Sequence, residues 1–333
     1  MSSSQDWNKH PMRHKVWQAC RTYTRRTHHL FNGFLPANSS NPESVLPRFD
    51  RPQALQLACL CRLAYIAANE DILAVRKRLQ LIPLTEGGQL DGYLYVNDWV
   101  DTYPRSTAHG IFLSTPHHVI IALRGSHNLN DWLLNFLVSA NANEIHSGVG
   151  QLAEGLWRPV IRFVMKPQNV AKPILIAGHS LGGAVAALLT HRLQQEHPER
   201  KIHAAYTYGA PPISCQPLDL GTHFFRIRTV NDLIPDLFQI LSSSNGLLPF
   251  ALSLPSYQHS GTGILIHENY EISWIKHDRW RKQHLATALN TLPQMQSSSD
   301  ITTVVSQTAN RMHQLIYYIE LLNYGVVPAG LSA

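Results

Sequence analysis

The sequence predicts an α/β fold in which a mostly parallel central sheet is flanked by helices. Residues 118–123 (His-Val-Ile-Ile-Ala-Leu) form a short apolar run with β-branched residues, which is typical of a buried strand. A second buried strand is predicted at residues 174–177, and it leads through a tight turn into an Ala- and Leu-rich helix that extends to Leu193. A strand, a turn and a helix in direct succession indicate parallel α/β packing.

The composition indicates one large globular domain behind a basic N-terminal segment. Of the 333 residues, 44% are hydrophobic and 15% are charged, which argues against general disorder. Residues 1–50 hold seven Lys/Arg and three Asp/Glu, so they carry +4 of the formal +6 charge, and 36–47 read as an Asn-, Ser- and Pro-rich linker. We therefore predict a basic extension and linker over residues 1–50, which favours anionic surfaces, and a folded domain over residues 51–333.

Targeting signals are weak in this sequence. The N-terminus lacks the apolar core of a secretory signal peptide, and no run of 18 apolar residues occurs. We therefore expect a cytoplasmic protein, or one exported by a signal-independent route, without a transmembrane helix. Residues 15–34 have apolar residues at helical spacing among arginines. A solvated helix against the domain fits them better than a helix lying on a membrane, and an organelle transit peptide is a third interpretation.

The cysteines predict neither a zinc site nor a disulfide framework. The four of them, none with zinc-type spacing, are Cys20, Cys59, Cys61 and Cys215. Free buried thiols are the expectation. We expect no metal, no organic cofactor and no nucleic-acid partner.

The remaining elements of the domain follow from hydrophobic spacing. Residues 52–68 place apolar side chains at helical intervals and predict a buried helix, and 71–78 predict a second helical segment. Two short strands are predicted at 93–96 and 110–113, and a further strand at 224–230. These elements complete the α/β pattern on both sides of the central strands.

The turn after residues 174–177 carries a candidate nucleophile. Residues 178–182 (Gly-His-Ser-Leu-Gly) match Gly-x-Ser-x-Gly, which presents a serine on a strained turn between a strand and a helix. Small residues on either side allow the two backbones to approach closely. Ser180 is therefore the predicted nucleophile, and the N–H of Leu181 at the helix start would face an oxyanion. The alternative is an incidental serine in a Gly-rich turn, and the strand–turn–helix context argues against it.

An acid is predicted at the end of the strand at 224–230. Asp232 follows that strand in the loop Val-Asn-Asp-Leu-Ile-Pro, where a strand end would put it beside the serine turn. Asp236 is the runner-up, and Asp131 fits a helix-capping role better. The acid is needed to orient a histidine base, which in turn activates the serine.

Several segments together resemble the fungal-type (class 3) lipase family. They run in family order from about residue 118 to 266, and a weaker match at His313 extends them to about 324. The matching segments are the strand and Arg-Gly-Ser at 118–126, Asp-Trp at 131–132, 146–148, 178–183, 207–211, 231–235 and 259–266. The resemblance implies an α/β-hydrolase fold with a short helical lid, and serine-dependent ester hydrolysis.

The resemblance also implies roles for individual residues. It gives the acid as Asp232 and the base as His313, which lies near the C-terminus a few residues before an aromatic. His284 is the rival base, because His313 lies 81 residues beyond the acid and an insertion must be absorbed. The implied oxyanion donors are the backbone N–H groups of Ser126 and Leu181.

Two more residues have structural interpretations. His259 matches a strand-entry position of the family and is expected to be structural. Arg124 is expected to form a structural ion pair rather than to take part in the chemistry.

Two apolar segments flank the expected site. Residues 128–136 form the candidate lid, and its shared apolar face consists of Leu129, Trp132, Leu133 and Phe136. One interpretation is that this face packs on the core, and another is that it covers the serine in water and turns toward lipid at an interface. The two are compatible, since a closed lid packs on apolar residues of the acyl site. Residues 237–254 follow the acid directly and predict part of an acyl-chain groove or a second flap, with a hairpin packed on the core as the alternative.

These features predict a lipid-ester hydrolase that works at an interface, most simply an acylglycerol lipase with an acyl-enzyme intermediate. Peripheral membrane contact through the lid and the basic N-terminus is one option for reaching such an interface. Three alternatives stay open: a phospholipase A1 on anionic membranes, a simple esterase for soluble esters, and a non-enzymatic lipid-binding protein on a hydrolase fold.

Overall fold

The computed structural model describes the central sheet, the helices on both of its faces and the loops that meet at one end of it. The described residues are 48–67, 71–80, 82, 89–96, 107–126, 145–221, 223–229, 232, 234–236, 257–275 and 313–323. Most of the predicted N-terminal extension, residues 1–47, lies outside this set.

The described residues form eight strands and five α-helices. The strands are β1 (Gln89–Val96), β2 (Thr107–Ser114), β3 (Val119–Leu123), β4 (Ile174–His179), β5 (Ile202–Tyr208), β6 (Phe224–Thr229), β7 (Thr262–Ile266) and β8 (Ile272–Trp274). The helices are α1 (Arg51–Ala67), α2 (Ile72–Leu79), α3 (Ser147–Val164), α4 (Leu181–Glu196) and α5 (Leu315–Leu322), and a 3₁₀ turn spans Ile234–Asp236.

The strands form one sheet whose spatial order follows the chain, from β1 to β8. The strands β3 to β7 are parallel to one another, whereas β1, β2 and β8 are joined by antiparallel pairings at the two edges. The predicted mostly parallel sheet flanked by helices is therefore confirmed. Each parallel pairing needs a crossover, and α3 and α4 supply the two crossovers around β4.

Successive side chains of a strand belong alternately to two hydrophobic cores, one on each face of the sheet. In β3, Ile121 and Leu123 pack with α3 and α4, whereas Ile120 and Ala122 pack with α1 and α5. All five β3 side chains are buried, which is why the sequence shows a continuous apolar run rather than an alternating one. The central strands are thus held on both faces, and their ends form a rigid platform.

The strand β4 runs two residues further than the sequence pattern predicts. The apolar run ends at Ala177, but Gly178 and His179 continue the ladder and pair with Thr207 and Tyr208 of β5. A glycine and a histidine weaken the apolar signal without interrupting the backbone pairing. The extension brings the strand directly up to Ser180.

Arg51 fixes the C-terminal end of α5 against the start of α1. Its guanidinium is buried and donates hydrogen bonds to the carbonyl oxygens of Leu321 (2.6 Å), Leu322 (3.0 Å) and Tyr270 (2.9 Å). The last carbonyls of a helix have no partner within the helix, so a buried arginine there satisfies them. This contact anchors the helix that follows His313.

Cys59 and Cys61 are buried in α1, Cys215 is half-buried, and none of these three forms a disulfide. Within the described ranges, no helix has the length and apolar character needed to cross a membrane.

Candidate active site

Ser180 occupies a strained turn between β4 and α4. Its backbone has φ 54° and ψ −125°, a left-handed region that non-glycine residues rarely adopt. The amide of Ser180 donates to the carbonyl of Tyr208 at 2.9 Å, and its own carbonyl accepts from the amides of Gly183 and Ala184. The surrounding backbone thus maintains the strain, as expected for a nucleophile elbow.

The close approach at the elbow requires a glycine at position 182. A Cβ placed on Gly182 would lie 2.3 Å from the carbonyl oxygen of Arg124, which is far inside contact distance. The helix start therefore packs directly on the loop that leaves β3. The same packing brings the first turn of α4 and residues 124–126 to the same side of the serine.

The structure brings Ser180, His313 and Asp232 into one hydrogen-bonded line. His313 Nε2 lies 2.8 Å from Ser180 Oγ, and His313 Nδ1 lies 2.8 Å from Asp232 Oδ2. All three residues are buried. In the neutral tautomer that satisfies both contacts, Nδ1–H donates to the carboxylate and Nε2 accepts from the serine hydroxyl. This geometry allows His313 to take a proton from Ser180.

Two further groups hold the Asp232 carboxylate. Tyr318 of α5 donates its hydroxyl to Oδ2 at 2.5 Å, and the amide of Ile234 donates to Oδ1 at 3.0 Å. Burial, and then the neighbouring Asp232 charge, raise the pKa of Tyr318 well above its ordinary value, so its hydroxyl keeps the proton that it donates. Both carboxylate oxygens are therefore engaged, and the acid has a fixed orientation toward His313.

Two contacts hold the loop that carries Asp232, one to the strand before it and one to a residue further along the chain. Asp236, the runner-up acid, forms a buried two-point ion pair with Arg228 and is thereby occupied. His259 Nε2 donates to the carbonyl of Pro235 at 2.7 Å. His259 thus contacts the acid loop and not the serine, as its structural interpretation implies.

The two predicted oxyanion donors flank the elbow. Leu181 is the first residue of α4, so its N–H has no acceptor within the helix. Ser126 lies three residues after the end of β3, in the loop that packs on the elbow. A Cβ placed on the adjacent Gly125 would lie 2.9 Å from Ser180 Cβ, which shows how closely this loop approaches the nucleophile.

Arg124 lies under the elbow with its guanidinium 6.0 Å from the centre of the Tyr65 ring. Burial lowers the pKa of Arg124. The attraction between a cation and an aromatic face offsets part of the hydration that a buried cation loses. The predicted ion pair for this residue stays a prediction.

Sequence reasoning missed a second hydrogen-bonded line, which runs behind the triad through His179 and Tyr65. His179 Nε2 lies 2.8 Å from the carbonyl oxygen of His313, and His179 Nδ1 lies 2.7 Å from the Tyr65 hydroxyl. The amide of Gly125 donates to the same hydroxyl at 2.8 Å. The only signal in the sequence is a polar ring inside an otherwise apolar strand and a tyrosine on a buried helix.

Other predicted site residues lie outside the described residues. These are the lid residues Leu129, Trp132, Leu133 and Phe136, the rival base His284, the alternative acid Asp131, and segment 237–254. In the part of the chain that is described, no group of three or more His, Cys, Asp or Glu could hold a metal ion.

Comparison with known proteins gives matches over the segment of the chain that contains Ser180 and Asp232. Residues 120–242 match the sequence model of the family described as Lipase (class 3). The chain is 28% identical over 118 residues to secreted mono- and diacylglycerol lipase 1 of Fusarium solani, covering 32% of this chain and 34% of that protein. It is 27% identical over 161 residues to secreted mono- and diacylglycerol lipase A of Penicillium cyclopium, covering 42% and 50%. The matches thus span half or less of these relatives.

Solved structures of lipases are also similar. The triacylglycerol lipase of Penicillium expansum has a TM-score of 0.48 at 17% identity, with 71% of this chain and 87% of that chain covered. The mono- and diacylglycerol lipase of Aspergillus oryzae has a TM-score of 0.47 at 19% identity, with 66% and 81% covered.

The family match includes both Ser180 and Asp232, together with most of β3 and all of the strand–turn–helix elbow. It ends before His313, which reaches the site only through the fold. Over residues 120–242 the chain is therefore similar to the class 3 lipases, and the matched segment holds the serine and the acid of the site.

Proposed function

We propose that this protein is a serine carboxylic-ester hydrolase that acts on acylglycerols through an acyl-enzyme intermediate. The observation that carries the proposal is the buried line from Ser180 Oγ through both nitrogens of His313 to Asp232, with each contact at 2.8 Å. A hydroxyl on a strained turn, a base within hydrogen-bond reach and a fixed acid behind the base are the minimum set for nucleophilic attack on an ester.

The first half of the reaction transfers the acyl group to the enzyme. His313 Nε2 takes the hydroxyl proton as Ser180 Oγ attacks the ester carbonyl carbon. The tetrahedral intermediate then collapses, the carbon–oxygen bond to the alcohol breaks, and His313 returns the proton to the departing alcohol. Asp232 stabilises the transient imidazolium through Nδ1–H.

The second half releases the fatty acid. Water replaces the alcohol, His313 accepts one of its protons, and the hydroxide oxygen attacks the acyl-enzyme carbonyl. Collapse of this second intermediate breaks the bond to Ser180 Oγ, which recovers its proton from His313. In both halves, the N–H groups of Ser126 and Leu181 are the proposed donors to the oxyanion, and each such donor typically contributes about 3–4 kcal/mol to the transition state.

Two observations support acylglycerols as the substrates. The relatives that match this chain are named mono- and diacylglycerol lipases. Two segments close to the site residues in the sequence, 128–136 with five large apolar residues among nine and the mostly apolar 237–254, suit an acyl chain better than a soluble polar ester.

The charge of the N-terminus favours a second candidate function, which is phospholipase A1 activity on anionic phospholipids. Residues 1–50 carry a formal charge of +4, and each Lys or Arg near an anionic surface contributes about 1 kcal/mol of attraction. Peripheral contact with a membrane would then bring the site to its substrate. Changing Arg21, Arg25 and Arg26 to Gln should reduce co-sedimentation with phosphatidylglycerol vesicles but not with neutral phosphatidylcholine vesicles.

The substrate class is tested by offering three esters to the same enzyme: emulsified long-chain acylglycerols, phosphatidylglycerol vesicles, and soluble p-nitrophenyl butyrate. Acylglycerol turnover should be the fastest per enzyme molecule. Faster release of fatty acid from phosphatidylglycerol would establish the phospholipase instead, and turnover of the butyrate ester alone would establish an esterase.

Two serine variants control the test. Ser180→Ala should abolish turnover of all three esters, whereas Ser214→Ala removes another buried hydroxyl and should leave turnover near the wild-type rate. Binding of lipid with no turnover above the Ser180→Ala level would establish the non-enzymatic alternative and contradict the proposal.

A further inference from the structure

His179 and Tyr65 connect three separate parts of the chain around the nucleophile. Tyr65 lies on α1, Gly125 in the loop after β3, and His179 is the last residue of β4. The contacts run from the Gly125 amide to the Tyr65 hydroxyl (2.8 Å), from that hydroxyl to His179 Nδ1 (2.7 Å), and from His179 Nε2 to the carbonyl of His313 (2.8 Å). None of these contacts involves a group that reacts with substrate.

The direction of every hydrogen bond in this line follows from its two ends. A carbonyl oxygen only accepts, so His179 Nε2 carries a proton and donates it to His313. In a neutral ring Nδ1 is then an acceptor, and the Tyr65 hydroxyl donates to it. The hydroxyl oxygen still has a lone pair, which accepts from the Gly125 amide. All the donors and acceptors in the line therefore match in one arrangement.

His179 remains neutral in this arrangement. Burial, and then the nearby His313 ring, lower the pKa of His179 well below its ordinary value. The two imidazole rings are 5.0 Å apart between centres. A charged His179 at that distance would oppose the positive charge that His313 acquires when it accepts the serine proton, and a neutral one does not.

The line is closely packed as well as hydrogen-bonded. A Cβ on Gly125 would lie 2.6 Å from the Tyr65 hydroxyl and 2.8 Å from the carbonyl oxygen of His179. Tyr65 also makes an edge contact with the His179 ring, with the centres 5.8 Å apart. The loop that carries Ser126 therefore has little space to shift without displacing these two side chains.

We propose that Tyr65 and His179 are a pair of positioning residues, which hold the oxyanion loop and the backbone of His313 in one arrangement around Ser180. This role rests on the proposed function and explains how two parts of the machinery, which come from distant parts of the chain, keep a common geometry. Displacements of about 1 Å in such geometry cost about 100-fold in rate, so a side chain remote from the substrate has a measurable effect.

Tyr65→Phe removes the hydroxyl that links the two halves of the line. We expect kcat to fall about 10- to 100-fold and KM to change less than about threefold, because the geometry at the transition state is altered while substrate binding is not. The matched control is Tyr208→Phe, which removes another buried tyrosine hydroxyl that bonds to α1, at Ala54, outside this line. An equal kcat for the two variants would overturn the proposal.

A second pair of variants separates positioning from packing at His179. His179→Gln keeps an N–H donor that can reach the His313 carbonyl, and His179→Leu keeps only the bulk. We expect kcat of His179→Gln to exceed that of His179→Leu by about tenfold, measured where both are folded. Equal activity of the two at equal thermal stability would show that only packing matters, which contradicts the proposal.

A readout that is independent of lipid chemistry distinguishes this inference from the proposed function. Diethyl p-nitrophenyl phosphate is attacked at phosphorus by Ser180 Oγ and releases one p-nitrophenolate per serine, whatever the natural substrate is. If the wild-type protein reacts but hydrolyses no ester, the proposed function has failed, and slower reaction of Tyr65→Phe than of Tyr208→Phe still supports the pair. Equal rates for both variants, or no reaction of the wild type, would overturn it.

Discussion

The serine end and the acid end of the site are built in different ways. At the end of β4, Ser180 is fixed by the backbone itself: a positive φ, an amide contact to Tyr208, and a helix that starts at the next residue. At the end of β6, Asp232 is fixed by side chains and amides from elsewhere, including Tyr318 of α5. Backbone conformation thus fixes the serine end, whereas the acid end depends on a side chain 86 positions away.

This difference determines what each end tolerates. A turn set by backbone conformation is broken by a change of one glycine, because the backbones that meet there leave no room for a Cβ. An acid held by long-range contacts can lose one of them and keep the others. His313 joins the two ends, since it contacts Ser180 and Asp232 at the same distance of 2.8 Å.

Removing the link between the two ends should have the largest effect. His313→Ala is expected to lower kcat about 10⁶-fold, because neither end can activate the serine alone and the members of a triad act as a unit. Steady-state hydrolysis of p-nitrophenyl butyrate measures this. His259→Ala, which removes a histidine that donates to the acid loop at Pro235, should lose less than about tenfold. Similar losses in both variants would contradict the assignment of the base.

The acid end is tested by two neighbouring carboxylates with different partners. Asp232→Asn should lower kcat about 10⁴-fold with little change in thermal stability, because it removes the charge that stabilises the imidazolium. Asp236→Asn should instead cost about 3–5 kcal/mol of stability, because it leaves the buried Arg228 without its counter-charge.

The roles of the two carboxylates are distinguished by measuring the thermal stability of both Asp variants and the kcat of each under conditions where it is folded. The reverse pattern, with the larger kcat loss in Asp236→Asn, would exchange the roles of the two carboxylates.

These two carboxylates also show how far the sequence alone could lead. The strands β3 and β4 and the elbow are visible in short segments because their apolar runs, glycines and serine are contiguous. Loop position and family resemblance favour Asp232 over Asp236 as the acid, but the pairing of Asp236 with Arg228 is visible only in the structure.

The contacts of Tyr65, His179 and Arg51 were beyond the reach of sequence reasoning. They join residues that are 114, 134 and 271 positions apart. No periodicity or motif encodes such pairings, because they depend on which helix packs on which strand end. His313 was reachable only through the resemblance, since its 81-residue distance from the acid gives no local signal.

The elbow is tested by adding one carbon atom. Gly182→Ala places a Cβ 2.3 Å from the carbonyl of Arg124, where neither backbone can move aside without displacing Ser180. We expect a loss of about 3 kcal/mol of stability and a loss of activity in the protein that still folds. Chemical denaturation measures the first and reaction with diethyl p-nitrophenyl phosphate the second. Gly150→Ala on α3, where a Cβ would meet nothing within 4 Å, is the matched control.

The smallest expected effect is a pH dependence that arises at the serine end. His179 stays neutral in the folded state, so below its ordinary pKa of 6.5 the unfolded chain binds a proton there that the folded protein does not. Stability should therefore fall as the pH drops below about 6.5, by up to about 1.4 kcal/mol per pH unit from this residue.

Because the chain has 19 histidines, the measurement is the difference between wild type and His179→Gln in denaturation between pH 7.5 and 5. The variant should lose stability less steeply. Parallel curves for the two proteins would show that His179 is not held neutral.

The most direct test of the account is to trap the acyl-enzyme. The wild-type protein is mixed with p-nitrophenyl butyrate, quenched in acid within milliseconds to seconds, and analysed by intact-mass and peptide mass spectrometry. We predict the mass gain of one butyryl group, located on Ser180 and missing from Ser180→Ala. Hydrolysis that persists in Ser180→Ala, or an acyl group found on another residue, would contradict the central claim that Ser180 is the nucleophile.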